Sequence, residues 1–348
     1  LYLFYSNYMK YILFYLFLWL AFGGYIVKAQ PMNKTKVPLM IIFETDLGND
    51  VDDALAMDML YKYADDGLIK ILAINSNKLS PYSYGMINIM NKWYGYPDIP
   101  FGKVDREGQD TAYNFAKAVC EFKVNNKPVF QTNISDNVEK ATQVYRRILS
   151  KQPDHSVIII STGFSTNLAK LLETKADKHS NLSGLDLISK KVKLLSVMAG
   201  NFEDPNFKEY NVVEDIPAAQ KVFSSWPTPL VCSPFELGEK INYPGSSIAN
   251  DFKWAPDHPM VIAYENYIKM PYDRPTWDLT SVLYAIEGRG AYFDESEKGK
   301  ISVDDSGVTH FKADAKGKHQ YLKAGQHQQE LIKNRFLELI TRKPGNLQ

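Results

Sequence analysis

Past residue 36, short runs of consecutive apolar residues alternate with segments in which apolar residues recur every three or four positions. A run that is apolar at every position is a strand buried on both faces, and the helices between such runs supply the cover. On this reading "LMIIFET" (39–45) is the first strand and "DDALAMDMLYKYADDG" a helix ending near Gly67. "IKILAIN" (69–75) is the second strand, followed by a helix from about Ser83 to Trp93, closed by Gly95 and Pro97. "VIIISTG" (157–163) precedes a helix carrying Leu168, Leu171 and Leu172, and "VKLLSVMAG" (192–200) and "TPLVCSP" (228–234) complete the core strands. The pattern predicts an α/β fold: a mostly parallel open sheet with helices on both faces. Near the end, "KISVDDSGVTHF" alternates in polarity around Asp304-Asp305-Ser306-Gly307, a hairpin signal, and an amphipathic helix over about 328–341 follows. The interval Lys103–Ser135 is irregular and polar and is read as a loop placed to cover a site. With no internal repeat, residues 36–342 are expected to form one domain with the hairpin as an appendage.

The first residues are of another kind. "MKYILFYLFLWLAFGGYIVKAQPM" begins at Met9 with one lysine, is apolar from Tyr11 to about Val27, and ends in Val27-Lys28-Ala29 before Gln30. Residues 1–29 are read as a signal peptide, with the residues before Met9 an upstream mis-start. The competing reading, an uncleaved membrane anchor, rests on an apolar run approaching the roughly 20 residues of a span. The expectation is export, to the periplasm or the exterior. The 348 residues carry 40 basic and 40 acidic side chains, which gives no electrostatic reason to expect a nucleic-acid or membrane-surface partner. A small polar substrate fits better. Cys120 and Cys232 both lie in apolar contexts and are expected as buried thiols.

Against that neutral background, "ETDLGNDVDDA" (44–54) gathers Glu44, Asp46, Asp50, Asp52 and Asp53 where the first strand gives way to a helix. Aspartates near a helix N-terminus can be explained as caps stabilised by the macrodipole. Five acids exceed what capping requires, and carboxylates converging at a strand end are what a hard, oxygen-seeking cation binds. Such a cation eases deprotonation of a bound water, which makes hydrolysis the default chemistry. A phosphatase of the haloacid dehalogenase type also begins with Asp-x-Asp at this place. Here the nucleophile's position holds Glu44, whose extra methylene misplaces the attacking oxygen, and the usual Gly-Thr continuation is absent.

The same segment resembles the nucleoside hydrolases, whose signature is Asp-x-Asp-Pro-Gly-x-Asp-Asp-Ala. Glu44 stands for the first Asp, Leu47 for the Pro, and two additional residues lengthen the turn; Asp50 thereby competes with Asp52 for one place, and "DDALA" favours Asp52-Asp53. "STGFSTNLA", "VMAGNFEDPNFKEYNV", "EDIPAAQKVF" and "PTWDLTSVLYAI" match further family segments in order, so the similarity spans about Leu39 to Gly288. The resemblance implies cleavage of the N-glycosidic bond of ribonucleosides with Ca²⁺ held by the side chains of Asp46, Asp53 and Asp278 and the carbonyl of Thr162. It makes Asp46 the base for the attacking water. Asp52 and Asn211 are implied for the ribose hydroxyls, Glu209 and Asn206 for the far side of the sugar (with Asn201 competing), and Met198 as packing beneath it. It further implies a homodimer or homotetramer. Acids around an oxocarbenium-like transition state stabilise it more than the substrate, and buried contacts to both hydroxyls discriminate against deoxyribose.

Many members place a His before the last metal Asp; this chain has Trp277 there, in "TWD". That resembles the purine-preferring branch, in which an indole stacks on the departing base and favours its protonation; the alternative is a core aromatic. Trp93 and the tyrosines of "SPYSYG" are the candidate second stacking partners. Asn75-Ser76-Asn77 follows the second strand, and Asn77 is taken as the ligand contact among them. His155, His258 and His310 are expected to face solvent, and Asp65-Asp66 to be a solvated helix end. A second hypothesis, a non-catalytic relative that keeps the metal and binds another sugar, is motivated by Glu44 and the lengthened turn.

Overall fold

Along β1 (Leu39–Thr45), Ile41 and Phe43 enter one hydrophobic core and Ile42 the other, and all three are wholly buried. Each such side chain contributes roughly 1.5–3 kcal/mol on burial, so a strand apolar at every position belongs inside a sheet covered on both sides. The computed structural model describes residues 37–106, 114–131 and 137–347. The signal-peptide expectation falls outside these residues. Among them, no helix is long and apolar enough to cross a membrane, and those from Pro38 onward form one compact unit.

The main sheet comprises β1, β2 (Ile69–Ser76), β3 (Phe101–Lys103), β4 (Val157–Ser161), β5 (Val192–Met198), β6 (Leu230–Ser233), β7 (Asp294–Glu295), β8 (Gly299–Val303), β9 (Thr309–Ala313) and β10 (His319–Lys323), in the order β9-β8-β10-β6-β5-β4-β1-β2-β3 with β7 beside β10. From β10 to β3 every neighbouring pair is parallel. One face is covered by α1 (Asp52–Asp65), α2 (Pro81–Trp93), α7 (Pro259–Tyr267), α8 (Trp277–Glu287) and α9 (Gln326–Thr341); the other by α3 (Ala141–Leu149), α4 (Thr166–Glu173) and α5 (Ile216–Ser225). A further short helix, α6 (Phe235–Glu239), follows β6 directly.

The expected hairpin is β8–β9, with Val303 opposite Thr309 and Asp304 Oδ1 accepting the amides of Ser306 and Val308 at 2.8 and 3.1 Å. Strand β10, half exposed, continues the parallel run beyond β6 and carries no alternation that marks it in sequence. The interval Lys103–Ser135 is less irregular than its composition suggests. Helix Asn114–Cys120 packs on α2 and α7 through Phe115, Val119 and Cys120, and none of the interval's described residues lines the site cavity. Cys120 and Cys232 are buried free thiols.

Helix α1 is tied to α9 by a buried pair. Lys62 Nζ lies 2.8 Å from Asp58 Oδ2, both wholly buried, and donates also to the carbonyl of Ile340 in α9. Tyr94 donates to Asp58 from the end of α2. His258, expected in solvent, is wholly buried against Trp93, Phe252 and Trp254, and burial holds its pKa well below the usual value. It is a neutral packing residue.

Candidate active site

Parallel strands bring their carboxyl ends to one edge, where an open α/β sheet forms ligand crevices. Asp46 follows β1, Thr162 follows β4, Met198 ends β5 and Phe235 follows β6. The chain turns at Gly48, whose φ of 116° suits glycine, and α1 then starts at Asp52. Its N-cap is Val51, with no side-chain cap, so capping does not account for Asp52 and Asp53. The amide of Asp278 donates to Asp52 Oδ2 at 3.0 Å. This contact joins the N-termini of α1 and α8, so two positive dipole ends face one cluster of acids.

A cavity of about 220 Å³ is lined by Asp46, Asn49, Asp50, Asp52, Asp53, Thr162, Met198, Glu209, Tyr210, Asn211, Phe235, Tyr267, Trp277 and Asp278. Asn49 Nδ2 donates to Asp46 Oδ2 at 2.6 Å, and Lys78 donates to Asn49 Oδ1. Thr45 Oγ1 donates to Asp53 Oδ1, whereas the buried Asp53 Oδ2 has no hydrogen-bond partner. Gly163 lets the β4 end approach closely, since a Cβ there would stand 2.8 Å from the Asp46 nitrogen. Asn211 Nδ2 donates to the Thr162 and Met198 carbonyls at 3.1 and 3.2 Å, fixing both strand ends together. Glu209 accepts from the amides of Asn211, Gly200 and Val212 at 2.9, 3.2 and 3.2 Å.

Burial and mutual repulsion dominate the electrostatics. Burial lifts the Asp46 pKa to about 6. Asp52, Asp53 and Asp278 are pushed well above the carboxylate range, by burial first and by their acidic neighbours next. Two like charges about 4 Å apart cost about 4 kcal/mol at an effective dielectric near 20, so four ionised acids in one buried cavity need a counter-charge. Among the described residues, no three or more His, Cys, Asp or Glu side chains stand in a ready-made ligand shell. The donor chemistry nevertheless fits a hard divalent cation: every candidate ligand is an oxygen, one buried carboxylate oxygen has no partner, and the repulsion is what such an ion relieves.

Glu209 gives a testable consequence. Burial raises its pKa from 4.5 to about 7 despite three backbone donors, and burial does the same for Glu44. Between those values the folded chain holds protons that the unfolded chain has lost. The contribution of this group to stability is therefore full below about 4.5 and is lost as pH rises through 7. Thermal melts of cation-free protein should give a lower Tm at about pH 8 than at about pH 5; an unchanged or rising Tm contradicts this reading.

Two expected ligand contacts lie elsewhere. Asn77 is wholly buried, but its amide donates at 2.5 Å to Glu44 Oε2, which Asn167 also meets at 3.0 Å, and it does not line the cavity. Asn206 is exposed on a turn whose amide bonds Asp204 at 2.9 Å; the competing Asn201 spends its side-chain oxygen on the amides of Glu203 and Asp204. The two acids that compete for one place differ in their partners. Asp50 lines the cavity but is paired with Arg274, while Asp52 is buried beside Asp278 without a cation of its own. Sequence reasoning named Trp277 but missed the rest of the aromatic wall around it. Phe235 stacks on Trp277 with ring centres 5.3 Å apart and accepts its indole N–H at 3.0 Å; Tyr210 and Tyr267 complete the wall. Trp93, Tyr82 and Tyr84 are not part of it.

A family model described as "Inosine-uridine preferring nucleoside hydrolase" matches residues 41–332. The chain belongs to this family and is a hydrolase of N-glycosyl bonds. Similar solved structures include a plant nucleoside hydrolase (16% identity, 88% of this chain and 100% of that one, TM-score 0.66) and the purine-preferring ribonucleoside hydrolase of Gardnerella vaginalis (14%, 87% and 98%, 0.65). An inosine-guanosine nucleoside hydrolase is also similar (17%, 87% and 99%, 0.64). At these identities the likeness shows the fold. A comparison with curated proteins gave no match.

Proposed function

We propose that the protein is a calcium-dependent ribonucleoside hydrolase that accepts purine nucleosides and releases base and ribose. One observation carries the reading: Asp46, Asp52, Asp53 and Asp278, drawn from two distant parts of the chain, line one cavity beside the Thr162 carbonyl and an aromatic wall. Asp46, Asp53 and Asp278 would hold the cation with the Thr162 carbonyl, and such an ion would supply a more acidic water for the attack. Asp46, oriented by Asn49 and lifted toward neutrality, is the residue to take the water's proton. Asp52 and Asn211 bind the ribose hydroxyls, and Glu209 faces positive charge that develops on the ring. Phe235, Tyr267 and Trp277 offer π faces to the base. The N-terminal segment supports export with cleavage before Gln30, and in the assembly we propose, a homodimer or homotetramer, neither nucleic acid nor membrane is a partner.

The experiment is a panel of purine and pyrimidine ribonucleosides incubated with calcium-loaded protein, with released reducing sugar as readout. No ribose from any of them, together with no bound calcium, rejects the proposal. Tight ribose binding without turnover would instead support a non-catalytic sugar-binding relative, the reading that Glu44 and the lengthened turn favour. Trp277 has its own test. Trp277→Ala should lower kcat/KM for inosine by about 10-fold or more, as loss of an aromatic partner does. It should cost a nitrophenyl riboside, which needs no help to leave, distinctly less. Equal losses on both make the indole a packing residue.

A further inference from the structure

The lengthened turn after β1 exposes Asp50 to the cavity, and this acid is not left alone. Arg274 Nε donates to Asp50 Oδ1 at 2.8 Å, and Nη2 donates to Oδ2. The guanidinium carbon also lies 5.0 Å from the Tyr267 ring centre and 5.2 Å from that of Trp277. Asp50, Tyr267 and Trp277 all line the cavity, whereas Arg274 itself does not. Its backbone is pinned as well, since Arg274 and Pro275 pair with Tyr243 and Asn242 in a two-stranded ribbon.

We propose that Arg274 is the positioning residue for the leaving base: one guanidinium, held at once by Asp50, Tyr267 and Trp277, fixes the wall against which a planar heteroaromatic ring rests. The inference builds on the nucleoside hydrolase reading and adds what sets recognition of the base as distinct from the sugar. Arginine suits the task because a planar fork can grip a carboxylate with two bonds while lying against aromatic rings; lysine, a flexible point charge, cannot do both. The arrangement also neutralises the acid that the turn adds to an already acidic cavity. Without Arg274, Asp50 joins the repulsion among the site acids, and Tyr267 and Trp277 lose the group they share.

The test uses the full chain loaded with calcium, comparing wild type with Arg274→Ala and Arg274→Lys. Affinities for ribose and for a carbon-linked inosine analogue, which cannot be hydrolysed, are measured by calorimetry, and kcat and KM for inosine by ribose release. Both variants should weaken the analogue by ~10-fold or more and lower kcat, with ribose affinity shifting by less than ~3-fold; lysine should not rescue. If Arg274→Ala does not fold, Asp50→Asn breaks the fork from the other side and should shift the analogue-to-ribose ratio in the same direction. Equal losses for ribose and the analogue, full rescue by lysine, or no loss would each overturn the inference. A wild type that binds the analogue more tightly than ribose but cleaves nothing fails the hydrolase reading while the affinity ratio still decides the role of Arg274. A wild type with no preference for the analogue over ribose ends both.

Discussion

Asp46→Asn should lower kcat by ~10³-fold or more, because a positioned general base contributes up to about 10⁴ and the same side chain is a proposed cation ligand. The fold should survive. The amide matches the carboxylate in size, and its oxygen can still accept the Asn49 amide that now bonds Asp46 Oδ2 at 2.6 Å. Stability of the cation-free protein should not fall. Burial raises the Asp46 pKa, so its ionised form is disfavoured in the folded state, and Asp278 and Asp53 feel its charge as repulsion. At pH 8 the metal-free variant should therefore melt at the wild-type temperature or higher, while steady-state kinetics show the loss. Retention of more than about one-tenth of the activity would remove Asp46 from the role of base.

The second large effect concerns the cation. Chelation at pH 8 should abolish ribose release and lower Tm together, and added calcium should restore both. The coupling is thermodynamic: a ligand present at 1,000 times its Kd stabilises the state it binds by about 4 kcal/mol, and here it also cancels repulsion among four buried acids. Zinc should restore little, since the candidate ligands are all oxygens and lack the imidazole or thiolate that zinc prefers. Asp278→Ala should mimic chelation, with calcium no longer raising Tm. Full activity in chelator, or calcium-independent melting of the wild type, would show that the acids serve another purpose.

The strands were readable because burial on both faces demands apolar residues at every position, as Ile41, Ile42 and Phe43 show. The acid turn was readable because repulsion makes five carboxylates in ten positions improbable without a reason. Asp278 and Thr162 required the family resemblance, since nothing local connects them to Asp46. The aromatic wall had almost no sequence signal: Tyr210, Phe235 and Tyr267 come from separate connections and obey no period. Phe235 alone was findable, as the second residue beyond β6 at the ligand-bearing edge. Asn77 occupied the right edge too, but Glu44, in place of the family Asp, claims its amide. His258 was misjudged because "PDHP" has the composition of a surface turn, and only tertiary packing by Trp93, Phe252 and Trp254 encloses it.

The buried pair in α1 has a consequence for how the protein comes into being. The helix that presents Asp52 and Asp53 is synthesised well before α9, yet Lys62 waits for the carbonyl of Ile340 in that later helix. Asp278 reaches Asp52 across 226 residues. Contacts so far apart in sequence form slowly, and none of them can close until the later partner has been synthesised. The acid cluster therefore cannot assemble before Asp278 has been added to the chain, and the first strand and helix alone cannot form the proposed site.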